Sequence, residues 1–279
     1  MRDDDDRTIG KILSRRDAMT LLGLGSTASL LPFRSGEATA SHLFKSQTPG
    51  AVPGCIAKPE MTEGPYFVDR QLNRSDVRDG RRGDMLTLAL TVVDATGGQC
   101  KPLPGAIVDV WQCDAKGVYS GVSDPLQGFE TSGQRFLRGF QITGANGKAQ
   151  FTTIYPGWYR GRTVHIHFKI RTQTAAGAHE FTSQWYFADA LNDLILAGLD
   201  YARPDQRDTR NNTDMHFRGG GEQLLLAPVR STSGLSADFA IGLDLADTTV
   251  GRADGFGGGP GRGRGPGRGR RGGGASEGR

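Results

Sequence analysis

From residue 85 onward, apolar side chains alternate with small or polar ones in short runs, the two-residue period that buries one face of a β-strand. Residues 85–93, MLTLALTVV, interleave Leu and Val with Thr and Ala, and Asp94-Ala95-Thr96-Gly97-Gly98 follows as a turn signal. Comparable runs occupy 106–111, 136–142, 149–154, 164–170, 181–187, 223–229 and 238–243. About eight short strands at this spacing predict an all-β fold, an antiparallel β-sandwich with long loops. One short helix is expected over 190–199, where Leu191, Leu194, Ile195 and Leu199 fall on one face. No helix-rich segment precedes the strands.

The two ends of the chain break the pattern. Near the N-terminus, Ser14-Arg15-Arg16-Asp17 precedes a modest apolar stretch from Ala18 to Leu24, and Ala38-Thr39-Ala40 has small-x-small form. That order reads as a signal peptide over 1–40, and the paired arginines resemble a twin-arginine signal. The stretch is too short for a permanent membrane anchor, so the protein is expected to be exported, periplasmic or secreted. At the other end, residues 251–279 contain 14 Gly, seven Arg and a single aromatic, Phe256. Such a composition buries too little apolar surface to offset chain entropy, so a disordered Gly/Arg-rich tail is expected. The folded segment is thereby expected over 41–250.

Charge follows the same division. The whole chain carries +4 and its pI is near 9.1. The tail contributes +5 and residues 1–40 balance, which leaves 41–250 at −1. A basic pI confined to the tail gives no reason to expect nucleic-acid binding by the folded segment. Three cysteines are an odd number for an exported chain. Cys100 and Cys113 flank the strand at 105–111, which at roughly 3.3 Å per residue separates them beyond disulfide reach unless the Pro102/Pro104 turn folds back. Both a bridge from Cys55 to one of them and burial without a bridge stay open.

The segment 151–167, FTTIYPGWYRGRTVHIH, carries the candidate chemistry. On a strand, His165 and His167 share a face while Ile166 turns away, giving a ready pair of metal ligands. A histidine pair on a solvated face would look the same in isolation. These are two of only five histidines, however, and the Pro156-Gly157 turn brings Tyr159 near. An iron(II) site of cupin type would need a Glu soon after His167, and no acid precedes Glu180.

At these residues the sequence resembles the intradiol ring-cleavage dioxygenases, the protocatechuate 3,4-dioxygenase and catechol 1,2-dioxygenase family. The likeness runs in family order through Thr62-Glu-Gly-Pro-Tyr66, Pro104-Gly-Ala-Ile-Val-Asp-Val-Trp111, Gly117-Val-Tyr119, Leu137-Arg-Gly-Phe-Gln141, the 156–167 run, Ser183-Gln184 and Asp208-Thr-Arg-Asn211. Thr143-Gly144 departs from the family's usual Thr-Asp, which touches only a turn contact. The resemblance implies iron(III), Fe(3+), held by Tyr119, Tyr159, His165 and His167, with a catechol-type aromatic and O2 as substrates. Two phenolates favour iron(III), whereas imidazoles with one carboxylate suit iron(II). Tyr155 competes with Tyr159 for the second tyrosine position but reads as the end of a packed strand.

By the same resemblance Tyr159 is the ligand that yields to substrate and takes its proton. Arg162 stabilises carbanion-like charge on the substrate, Gln184 belongs to its hydrogen-bond network, and Tyr66 lines the pocket. Trp158 and Trp185 read as core residues. The missing N-terminal helices fit a compact, protocatechuate-type sandwich better than the catechol 1,2-dioxygenase architecture. A different class, a secreted β-sandwich that binds without catalysis, would have no need of these four ligands together. Substrate identity and oligomeric state are not readable from the sequence.

Overall fold

The structure, a computed structural model, describes residues 56–174 and 177–247. The expected signal peptide, the Gly/Arg-rich tail and Cys55 lie outside the described residues. Among the described residues there are twelve strands: β1 (Met85–Asp94), β2 (Lys101–Pro102), β3 (Ile107–Trp111), β4 (Ser123–Asp124), β5 (Phe129–Glu130), β6 (Arg138–Ile142), β7 (Lys148–Ile154), β8 (His165–Thr174), β9 (Gly177–Phe187), β10 (Leu225–Leu226), β11 (Val229–Ser231) and β12 (Gly234–Leu243). Seven of them span five residues or more, so the sandwich read from periodicity is present, with the short strands as additions. Helix α1 (Asp189–Leu196) and the single-turn α2 (Met215–Arg218) complete it.

Two five-stranded sheets pack face to face. One runs β11-β12-β1-β2, with β7 also paired to β1, and the other runs β10-β9-β8-β3-β6. Most pairs are antiparallel, while β12 lies parallel to β1 and β10 parallel to β9. Alternation along β1 sends Leu86, Leu88, Leu90 and Val92 inward, and Val108, Val110, Ile166, Phe168 and Ile170 meet them from the second sheet. Trp185 stacks on Phe168 at 4.3 Å, and Trp158 belongs to the same core, so both tryptophans are packing residues.

Three local differences from the pattern have physical causes. The run at 223–229 is not one strand, because Pro228 lacks an N–H for a ladder; a 3-10 turn at Gly221–Leu224 is followed by β10 and then β11. Helix α1 stops at Leu196, leaving Leu199 93 % exposed and Leu194 44 % exposed, while Leu191 and Ile195 are buried. The strand expected from 136 begins at Arg138, because Leu137 takes a left-handed φ of 55°. The turn carrying Gly144 closes normally, with Gly144 N–H donating to the Lys148 carbonyl at 3.0 Å. Cys100 is disulfide-bonded, and Cys113 is free and buried.

The second sheet is covered on its outer face as well. Its odd-numbered β8 positions His165, His167 and Lys169 point away from the sandwich core yet are almost fully buried. The segment at 59–67 lies over them: Met61 N–H donates to the Thr182 carbonyl at 2.8 Å, Ser183 Oγ to the Pro59 carbonyl at 2.8 Å, and Lys169 pairs with Glu63. That cover turns a sheet face into an enclosed site.

Candidate metal centre

Tyr119 and Tyr159 sit on two loops locked against each other. Asp114 shapes the first by accepting the Lys116 and Val118 N–H groups at 2.9 and 3.0 Å, and its carbonyl accepts Gly157 N–H from the second at 3.1 Å. A Cβ on Gly117 would lie 2.1 Å from the Trp158 carbonyl oxygen, and one on Gly157 would lie 2.5 Å from that of Ala115. Only glycine permits this approach. Arg203 then ties both loops by donating to the Trp158 and Lys116 carbonyls at 2.7 and 2.9 Å.

The loops deliver the two phenols to the two imidazoles on β8. His165 Nε2 lies 3.4 Å from Tyr119 Oη, 3.2 Å from Tyr159 Oη, 3.0 Å from His167 Nε2 and 3.5 Å from Arg162 Nη1. Tyr155 is elsewhere: its hydroxyl donates to Asn192 at 2.6 Å and its ring packs on Phe187. His165 Nδ1 is 2.6 Å from the Thr163 carbonyl, which fixes the proton on Nδ1 and leaves a lone pair on Nε2. Trp111 stacks flat on His167 at 4.9 Å and 10°. Tyr66 stacks on Tyr119 at 4.4 Å, meets Tyr159 edge-on at 5.8 Å, and donates its hydroxyl to Asp124.

Electrostatics describe a neutral, donor-rich pocket. Burial, reinforced by Arg162, keeps both imidazoles well below the usual histidine range. Burial raises Tyr119 far above an ordinary phenol and pushes Tyr159 up to about 12, the latter against the pull of Arg162. One lone pair on His165 therefore faces four polar atoms, while His167 Nδ1 is buried without a partner. Both phenol hydroxyls crowd the single His165 lone pair, whereas a cation between the four side chains would engage all of them. Among the described residues no three His, Cys, Asp or Glu side chains gather into a metal-holding group. The donor set is thus phenolic and imidazole, which suits a hard, highly charged ion.

Arg162 is held at the edge of this set. Its Nε donates to Asp214 at 2.9 Å and its Nη2 to Gln184 Oε1, while Gln184 Nε2 reaches the Thr62 carbonyl at 3.1 Å. Tyr186 Oη lies 3.0 Å from the same Gln184 oxygen. Asp214 also accepts Thr163 N–H at 2.8 Å and caps α2 through His216 and Phe217 N–H. Sequence reasoning did not single out Asp214; its only signal was an acid ahead of a turn too short to read as a helix. Nor did it give Trp111 its place on His167, which follows from cross-strand register.

Fold and site together define a β-sandwich protein with a two-tyrosine, two-histidine donor set. The family model described as Dioxygenase matches residues 62–211, more than half of the chain. The protocatechuate 3,4-dioxygenase beta chain of Burkholderia cepacia is 30 % identical over 167 residues, 54 % of this chain and 67 % of that one. Catechol 1,2-dioxygenase 1 of Acinetobacter lwoffii is 26 % identical over 201 residues, 62 % of this chain and 61 % of that one. A solved intradiol ring-cleavage dioxygenase from Tetranychus urticae is 30 % identical with a TM-score of 0.61, covering 69 % of this chain and 96 % of its own. The chain belongs to the intradiol ring-cleavage dioxygenase family. It spans 56 to 61 % of the length of the curated catechol and chlorocatechol 1,2-dioxygenases from Acinetobacter and Pseudomonas putida that it matches.

Proposed function

We propose that the protein is an iron(III) intradiol dioxygenase acting on a catechol-type aromatic, with Tyr119, Tyr159, His165 and His167 as the metal ligands. The observation that carries this reading is the convergence of the two phenol oxygens and His167 Nε2 within 3.0 to 3.4 Å of His165 Nε2. Bound there, iron(III) would supply a Lewis acid that withdraws electron density from a bound catechol, so that the ring becomes open to O2. Tyr159 Oη, on the more exposed of the two tyrosines, would be the phenol placed to take a substrate proton. Arg162 keeps a preorganised positive charge beside the ring as carbanion-like charge develops, and Asp214 and Gln184 hold it in position. Tyr66 forms a wall against both tyrosines.

In the overall reaction the bond between the two hydroxyl-bearing carbons breaks, both atoms of O2 enter, and two carboxyl groups form. The same reading makes the enzyme an exported one, supported by Arg15-Arg16, by Ala38-Thr39-Ala40 and by the disulfide at Cys100, a bond characteristic of oxidising compartments. Iron content, visible spectrum and O2 uptake with catechol test the assignment. The purified protein is expected to be red to burgundy and to consume O2 with catechol. Arg162→Leu should keep iron and colour while losing turnover by roughly a hundredfold, as for removal of one preorganised charge-stabilising donor. A colourless protein that takes up zinc in place of iron and opens no catechol overturns it.

A further inference from the structure

Arg138 opens β6, directly across from Trp111, whose opposite neighbour on β8 is His167. The three residues form one row on the sheet face that carries the donor set. Only 3 % of Arg138 is exposed. Its Nε and Nη2 donate to the Ser120 carbonyl at 2.9 and 2.6 Å, Nε also lies 3.0 Å from Ser120 Oγ, and Nη1 is buried without a partner. Among the described residues no carboxylate pairs with it. A buried guanidinium without a counter-anion is costly. Burial lowers its pKa to about 10, and Tyr119 is the group that opposes this. The guanidinium carbon stands 5.9 Å from the centre of the Tyr119 ring.

We propose that Arg138 is the built-in countercharge of Tyr119 in its anionic, metal-bound form, a positioning residue that weakens this ligand's donation to the metal. The inference rests on the iron reading above. Two arginines flank the ligand tyrosines, and they differ in what neutralises them. Arg162, beside Tyr159, is matched by Asp214 at 2.9 Å. Arg138, beside Tyr119, has only neutral Ser120 oxygens. The uncancelled charge thus stands beside Tyr119, whereas the charge beside Tyr159 is already matched by a carboxylate. Arg138 is anchored through the carbonyl of Ser120, the residue after Tyr119, which fixes the guanidinium beside that ring.

The test reads the phenolate-to-iron charge-transfer band in a Tyr159→Phe background, where Tyr119 is the remaining phenolate ligand. Arg138→Gln removes the charge. Ser120→Asp instead introduces a carboxylate at the position whose hydroxyl now lies 3.0 Å from Nε and cancels the charge with Arg138 still in place, so the question survives if Arg138→Gln fails to fold. Both are expected to move the band to longer wavelength, because an uncompensated phenolate gives up its electron more easily. Arg138→Lys, which keeps the charge, should stay near the parent. Unmoved maxima in both neutralised proteins overturn the proposal, and so does an equal displacement in Arg138→Lys, which would assign the effect to lost packing. An unaltered chain without iron or colour overturns the iron reading and this inference with it.

Discussion

In the metal-free protein the four donor atoms have a definite proton inventory. Burial keeps both phenols protonated at neutral pH and both imidazoles unprotonated. Loading a metal between pH 7 and 8 should therefore expel a proton from each phenol and none from the histidines. Tyr159→Phe should release one proton fewer per metal than the parent, measured in weakly buffered solution; equal release would remove Tyr159 from the ligand set. The imidazoles also fix the sign of an acid effect. Their folded pKa values lie below the unfolded value of about 6.5, so the stability they confer is present above that pH and lost as pH falls through the folded values. His165 and His167 were legible in the sequence because a strand's period alone puts them on one face. Asp214 was not, since a carboxylate that works by holding an arginine 52 residues away leaves no local pattern.

Between elements, the site depends on how closely two loops can approach. Gly117 and Gly157 leave no room for a Cβ between the strand-to-strand connections that carry Tyr119 and Tyr159. Gly157→Ala would drive a methyl group into the Ala115 and Asp114 carbonyl oxygens, at 2.5 and 2.6 Å, and part the phenols. The expected result is a folded protein with weakened iron retention and an altered visible spectrum, because the sheets do not depend on this contact. Parental metal content and colour would show that the loops adjust without cost. Strand positions were read well wherever one face is core, as at β1, β3 and β7. They were read badly at 223–229, where a leucine run looks like a strand and Pro228 breaks it. Helix α1 was overextended because Leu199 matches the helical period but stands in solvent beyond the last turn. Periodicity records where apolar residues recur, and the other surface they meet decides whether they are buried.

For the molecule as a whole, the basic pI belongs to residues 251–279, while the described fold completes its last strand at Leu243. Deleting 251–279 should leave melting temperature and catechol turnover within error of the full chain, and a loss of either would give the tail a part in the fold or the site. Replacing Arg15 and Arg16 together with lysine should hold the precursor inside the cell, and unimpaired export of that protein would refute the twin-arginine assignment. The sequence made the sandwich legible but hid its order, since nothing in a strand's composition says which partner it will take. That order has a temporal meaning. Strand β12 does not decorate an edge: it lies between β11 and β1, with Leu235 beside Leu86 and Ile241 beside Val92. The first long strand of the described fold must therefore wait, during synthesis, for the last one. Contacts so distant along the chain make folding slow and leave the β12 side of β1 unpaired until β12 has been made. A chain threaded unfolded across a membrane would have to protect that open edge on the far side, whereas one exported after folding would already have closed it at home.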